Sequence, residues 1–241
     1  MREVSTAPLA DLSAYRNVTD LLTRRVDEAP DHVAFDVREG ERWRPVTTAA
    51  FAAEVSAVAK GLLADGLRPG DAVAIMAPTR YEWAVADLAV WFAGGVVVPV
   101  YDSSAPSQVA AIVADAGVRV AFFGDERSRS ALTAAGVPTV LSLTRGLADL
   151  AARGGLVDDA ALERARTDAG PTSPATIVYT SGTSGTPKGV VLSHENFLGQ
   201  VLNIAAAYSD IVRADGSTVI FLPLAHVLAR GLQLICLASG M

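Results

Sequence analysis

The chain has one cysteine, Cys236, so no disulfide framework can form within it, and nothing in its thiol content speaks against a reducing, cytoplasmic setting. In its apolar surroundings this thiol reads as a buried packing group. Aromatic residues are scarce, at 6% of the chain, and Ala, Val, Leu and Gly carry the apolar half of the composition. That mix suits helices packed on β-sheets rather than an aromatic-rich binding surface. Basic clusters are absent too. With a net charge of −6, no stretch gathers enough Lys and Arg to follow a phosphate backbone, so nucleic acid is not expected as a partner. The first residues lack the apolar core of a signal peptide. The most membrane-like window, Trp83 to Val100, is interrupted by Asp87, Gly94, Gly95 and Pro99, and reads as helix, turn and strand, so no transmembrane segment is expected.

What is present is alternation. A helix from about Val18 to Asp27 is expected after a cap at Asn17. Strands at Val33–Val37 and Arg42–Val46 flank the turn Glu39-Gly40-Glu41. Phe51, Val55, Val58 and Leu62 recur at helical spacing after Thr47 or Thr48. Pro69-Gly70-Asp71 is a turn, and Ala72–Met76 is a short apolar run of the kind buried in parallel sheets. Tyr81, Ala84, Leu88 and Trp91 mark one face of the next helix, ended by Gly94-Gly95. Val96–Val100 is a strand whose Pro99 suggests an edge or a strand end. A helix opening at Pro106 and strands at Val118–Phe123 and Val140–Leu143 complete the run. The whole predicts an α/β fold with a parallel sheet covered on both faces. Residues 145–174, rich in Ala, Asp, Arg and Gly, read as a helical or loose connector.

After Pro174 the character changes. A strand at Ala175–Tyr179 and another at Val190–Leu192 flank a polar, glycine-rich stretch. Ser193 can cap a helix carrying Phe197, Val201 and Ile204. A strand at Thr218–Leu222 and an apolar helix after His226 follow. The stretch reads Tyr179-Thr180-Ser181-Gly182-Thr183-Ser184-Gly185-Thr186-Pro187-Lys188-Gly189. Gly182, Gly185 and Gly189 let the backbone approach a ligand closely. Thr180, Ser181, Thr183, Ser184 and Thr186 offer five hydroxyls, and Lys188 a flexible positive charge. Such a loop can hold a polyphosphate, each bond to a charged oxygen contributing roughly 1.5–3 kcal/mol. It is not a Walker A loop, which needs Gly before the lysine and Ser or Thr after it; here Pro187 and Gly189 stand there. By composition alone, an ordinary Ser/Thr/Gly turn would be the simpler reading.

The order of residues in this stretch resembles the phosphate-loop signature of the adenylate-forming (AMP-binding) superfamily, which includes acyl-CoA synthetases, luciferases and peptide-synthetase adenylation domains. Ser184 stands where the family usually has threonine, which keeps the hydroxyl. Phe221-Leu222-Pro223-Leu224-Ala225-His226-Val227 looks like the family segment that sets a histidine beside the acyl and nucleotide pockets. Arg80-Tyr81-Glu82-Trp83, Pro99-Val100-Tyr101-Asp102-Ser103-Ser104-Ala105 and Ala229-Arg230 most resemble bacterial long-chain fatty acyl-CoA synthetases, while Trp83 and Trp91 by themselves read as core.

The resemblance implies an ATP-dependent ligase that joins a fatty acid or other carboxylate to AMP and then to CoA, with Mg2+ as metal and CoA as co-substrate. On these positions it implies Thr180, Ser181, Gly182, Thr183, Ser184, Gly185, Thr186 and Lys188 for the nucleotide, Thr180 for the metal, and His226 and Lys188 as catalytic candidates. It further implies two helix-covered subdomains, approximately 46–143 and 175–241, within the N-terminal part of an AMP-binding domain spanning 1–241, the second incomplete. Family members carry later segments for adenylate, ribose and a catalytic lysine that have no match here. The expectation is therefore a fragment, inactive alone and prone to self-association, with peripheral membrane contact left open. A non-catalytic nucleotide- or acyl-binding protein, and a ligase for amino or aryl acids, are the alternatives.

Overall fold

A computed structural model of the chain describes residues 7–181 and 187–241. The chain opens with α1 (Asp20–Glu28), the hairpin β1 (Val33–Glu39) and β2 (Arg42–Thr47), and α2 (Thr48–Ala64). Gly40 takes φ +63° at the hairpin tip, and the Thr47 hydroxyl accepts from the Ala50 amide at 3.2 Å to cap α2. Asn17 does not sit at the cap of α1. It is buried two residues earlier, where its amide donates to the carbonyls of Arg166 and Ala169, so the helix starts later than its apolar pattern suggests.

The central unit is β3 (Ala72–Met76), α3 (Tyr81–Phe92), β4 (Val96–Val100), α4 (Pro106–Ala116), β5 (Val120–Phe123), α5 (Glu126–Ala134) and β6 (Thr139–Ser142). Then come α6 (Arg145–Arg153), a short 3-10 turn, α7 (Asp159–Asp168), β7 (Pro174–Ser181), β8 (Pro187–Ser193), α8 (His194–Ala207) and α9 (Val227–Ser239). Six strands form one sheet in the order β6-β5-β3-β4-β7-β8. All neighbours are parallel except β7 and β8. The stretches 46–143 and 175–241 thus share a sheet: β7 docks beside β4 through the pair Val97 and Thr176.

The period of two in a strand sorts its side chains between two helical layers. Val73 and Ile75 face the large core shared with α1, α2, α3, α6, α8 and α9, while Ala72, Ala74 and Met76 face α4 and α5. Every residue of β3 and β4 is buried, as expected for a parallel sheet covered on both faces. Residues 83–92 of α3 are also buried without a break, so this helix lies wholly inside rather than showing a single apolar face. Trp83 and Trp91 are core residues, as their sequence context suggests.

Two expectations are corrected. Of the two places expected for Pro99, the edge is excluded, since β4 is an interior strand, while the strand end holds, since Pro99 is the last residue but one. In a parallel strand, residues two apart turn their backbone groups to the same neighbour, so Pro99, like Val97, faces β7. There the only backbone pair is Val97 with Thr176, and a missing amide at Pro99 breaks no bond. Thr218–Leu222, expected as a strand, has no ladder partner among the described residues. The connector 145–174 is ordered helix for most of its length. Gly61 makes this possible, because a Cβ there would stand 2.1 Å from the Leu150 carbonyl oxygen, and α6 packs directly on α2.

Candidate functional site

Because β3, β4, β5, β6 and β7 run parallel, the segments that follow them emerge along one carboxyl edge of the sheet, the usual place for ligands in α/β proteins. Thr180 and Ser181 close β7 at this edge, and Pro187 and Lys188 open β8. The strands therefore reach further than the sequence suggests: Thr180, Ser181 and Lys188 are ladder positions rather than loop positions, paired Thr180 with Lys188 and Ser181 with Pro187. Backbone pairing explains the extension, since each added rung satisfies groups that a loop would leave to water. Gly182, Thr183, Ser184, Gly185 and Thr186 lie outside the described residues.

Directly opposed residues in an antiparallel pair share a face of the sheet. Ile177 and Tyr179 pack on the α4 side. Thr176, Val178 and Thr180, and hence Lys188, belong to the other face, shared with α3, α8 and α9. Among the described residues Lys188 forms no ion pair, and its side chain is exposed. A lysine on an edge strand also discourages strand addition, which is its simplest structural role. Gly189 does something the sequence does not reveal: a Cβ there would meet Ile177 Cγ2 at 2.9 Å and Tyr179 ring atoms at 3.1 and 3.2 Å, so its bareness seats these two side chains. The Tyr179 hydroxyl donates to Asp115 at 2.6 Å and fixes the end of β7 to α4, and burial, reinforced by that carboxylate, raises the phenol above its ordinary range.

His226 caps the N-terminus of α9. Its Nδ1 accepts from the Leu228 amide at 3.1 Å, which leaves the proton of the neutral ring on Nε2, and the side chain is exposed. The turn before it is pinned to the carboxyl edge by Thr79, just beyond β3. That hydroxyl donates to the Leu222 carbonyl at 2.8 Å and accepts from the Leu224 amide at 2.9 Å. So the fold brings the His226 turn and the Thr180–Lys188 pair to one edge, with no hydrogen bond between them among the described residues.

Two buried charged or titratable features escape sequence reasoning, and a third, Cys236, departs from its expected burial. Arg230 and Asp87 are fully buried and joined by two hydrogen bonds, Nε to Oδ2 at 3.2 Å and Nη2 to Oδ1 at 2.7 Å; burial pushes the Asp87 carboxyl up, against the pull of the guanidinium. His194, at the start of α8, is buried beside Trp91 with its Nδ1 facing the Val18 amide at 3.4 Å, and burial lowers its pKa to about 4. Cys236 is only partly buried, contrary to expectation, yet burial still pushes its thiol up to about 11. It lines a cleft of about 1360 Å3 with Trp43, Arg80, Tyr81, Val219 and Met241, a cleft that Thr180, Lys188 and His226 do not touch. No group of three or more His, Cys, Asp or Glu that could hold a metal ion occurs among the described residues. No described helix is long and apolar enough to cross a membrane.

The fold is that of the N-terminal domains of adenylate-forming enzymes. The N-terminal domain of FACL13 from Mycobacterium tuberculosis superposes with a TM-score of 0.74 at 26% identity, covering 93% of this chain and 56% of that one. MatB from Rhodopseudomonas palustris gives 0.76 at 25% identity, covering 93% and 44%. Residues 22–241 match the AMP-binding enzyme family, and the chain belongs to it. Within the family, the relatives it is similar to include long-chain fatty acid–CoA ligases. The long-chain-fatty-acid–CoA ligase FadD15 of Mycobacterium tuberculosis is 33% identical over 97% of this chain and 40% of its own length. The peroxisomal long chain acyl-CoA synthetase 7 of Arabidopsis thaliana is 34% identical over 78% of this chain and 29% of its own. The chain thus spans about 40% of the length of the FadD15 relative.

Proposed function

We propose that this chain forms the phosphate-gripping wall of an ATP-dependent fatty acid–CoA ligase acting in the cytoplasm. The observation that supports it is the juxtaposition of Thr180 and Lys188 across β7 and β8, at the sheet edge where Thr79 also holds the His226 turn. A hydroxyl and an ammonium on one face suit the β- and γ-phosphates, and charge neutralisation there stabilises departing pyrophosphate when a carboxylate attacks the α-phosphate. Ser181, Gly182, Thr183, Ser184, Gly185 and Thr186 belong to the same grip by the family signature. His226, with a donor at Nε2, is suited to orient the carboxylate. Thr180 supplies one hydroxyl toward Mg2+. Mg2+ would offset phosphate charge at the grip, and CoA would accept the acyl group.

Calorimetry of ATP binding to the 241-residue chain tests the reading. Binding that weakens at least about tenfold in Lys188→Ala, and less in Thr180→Ala, is expected from the loss of a charge-assisted contact. Equal affinity in Lys188→Ala and the parent would remove the phosphate grip from this lysine. Binding without acyl-adenylate formation in a chain joined to the C-terminal part of a long-chain ligase relative would make the protein a nucleotide binder, not a ligase.

A further inference from the structure

Arg230 is a fully buried charge, and its contacts reach three elements. Nε and Nη2 clasp Asp87 on α3, while Nη1 donates to the Thr176 hydroxyl on β7 at 2.8 Å. Thr176 in turn donates to the Val97 carbonyl on β4 at 2.6 Å. The guanidinium carbon lies 5.6, 5.0 and 5.2 Å from the ring centres of Trp83, Trp91 and Phe197. Arg230, Asp87 and Thr176 are all 0% exposed.

Stability alone does not explain such a cluster. Desolvating an ion pair cancels much of its attraction, and apolar residues of similar shape often serve as well or better. What the arginine supplies is direction: a planar fork whose two sides demand different partners at fixed angles. Its place in the chain gives that direction a use. Arg230 lies four residues, about 6 Å, along α9 from His226, whose carbonyl accepts from the Arg230 amide at 3.3 Å. Thr176 lies four residues, about 13 Å, along β7 from Thr180, on the same face of the strand.

We propose that Arg230 is a positioning residue that sets His226 against the Thr180–Lys188 pair by locking the start of α9 to β7 and α3. The assignment rests on the nucleotide reading of the Thr180–Lys188 pair, and goes beyond it by naming a residue that touches no ligand.

Two variants test it in the full 241-residue chain. Thr176→Val removes the strand-side bond and keeps the shape and the Asp87 pair. Asp87→Leu with Arg230→Met replaces the pair by apolar groups, so folding survives even where a single charge deletion would not. Amide hydrogen exchange at Leu228, whose N–H reports the His226 cap, is read without ligand, and ATP affinity and the His226 imidazole NMR signals are read with it. Both variants are expected to melt within a few degrees of the parent, yet exchange about tenfold faster at Leu228 and bind ATP at least about fivefold more weakly. The ATP-dependent shift of the His226 ring should vanish in both. Parent-like exchange at Leu228 in both folded variants would overturn the proposal, because a lock that can be removed unnoticed positions nothing. A parent chain that binds no ATP would sink the nucleotide reading, and the exchange measurement would then decide the lock by itself.

Discussion

Ala72–Met76 and Thr218–Leu222 are both five-residue stretches with strand-like composition, and they meet opposite fates. The first is a fully buried strand with parallel neighbours on both sides. The second pairs with nothing among the described residues and turns outward, with Val219 71% and Phe221 81% exposed. A strand is a relation and not a property of a segment: the apolar pattern states a willingness to pair, and backbone partners decide whether pairing occurs. Ile211, Leu222 and Leu228 add exposed apolar surface around the second stretch. Thr79 holds the last residue of that stretch through the Leu222 carbonyl and the turn beyond it through the Leu224 amide, and Ile220 packs in part against the large core.

The largest expected effect is at the buried pair that joins α3, which follows the first stretch, to α9, which follows the second. Asp87→Ala strands the Arg230 charge and should cost about 3–5 kcal/mol in urea unfolding, more than any change within 218–222. Next comes Ile75→Ala in the covered strand, with an expected loss of about 2–5 kcal/mol by the same measurement. A loss under 1 kcal/mol would mean that the sheet centre relaxes freely, and the contrast would weaken. Acid offers a third lever, through α8. His194 is held near pKa 4 against 6.5 when free. As pH falls from 6.5 toward 4, the unfolded chain takes up a proton that the folded chain refuses, so stability drops by about 3 kcal/mol across that window. His194→Gln should flatten this slope in a pH series of melting curves, and an unchanged slope would assign it to the carboxylates. Ser193→Ala removes the hydroxyl that caps α8, bound to the Asn196 amide at 3.3 Å, and should cost about 1 kcal/mol by thermal melting. The smallest effect belongs to the exposed stretch: Phe221→Ser should change stability by less than about 0.5 kcal/mol and reduce self-association in sedimentation. A large destabilisation there would show the stretch to be packed in solution.

Much of this was legible from residues alone. Runs such as Ala72–Met76 and the spacing Phe51, Val55, Val58, Leu62 carry their period openly, and every one of these residues is buried. The cap at Ser193 announces itself by hydroxyl and position, while for α2 the sequence offers Thr47 or Thr48 and the structure decides for Thr47. The phosphate stretch is legible in the order of its residues, and the placing of His226 beside the acyl and nucleotide pockets comes with the family resemblance. Illegible were the features that depend on a distant neighbour. Arg230 and Asp87 are 143 residues apart, and neither looks unusual in its own helix. His194 reads as a polar helix start until Trp91 and Val18 close over it. Gly189 reads as loop freedom until the Tyr179 ring is seen across the ladder.

The sequence by itself determined the period of each element, the hydroxyl-rich stretch between Tyr179 and Gly189, and membership of a family, because these rest on the identity and order of near neighbours. Only the tertiary structure decided that β7 joins β4 in one sheet, that Pro99 is tolerated inside it, that 218–222 stays unpaired among the described residues, and that one buried arginine spans α3, β7 and α9. Those outcomes turn on which backbone groups and charges meet across long stretches of chain, and burial sets their cost only after the meeting has occurred.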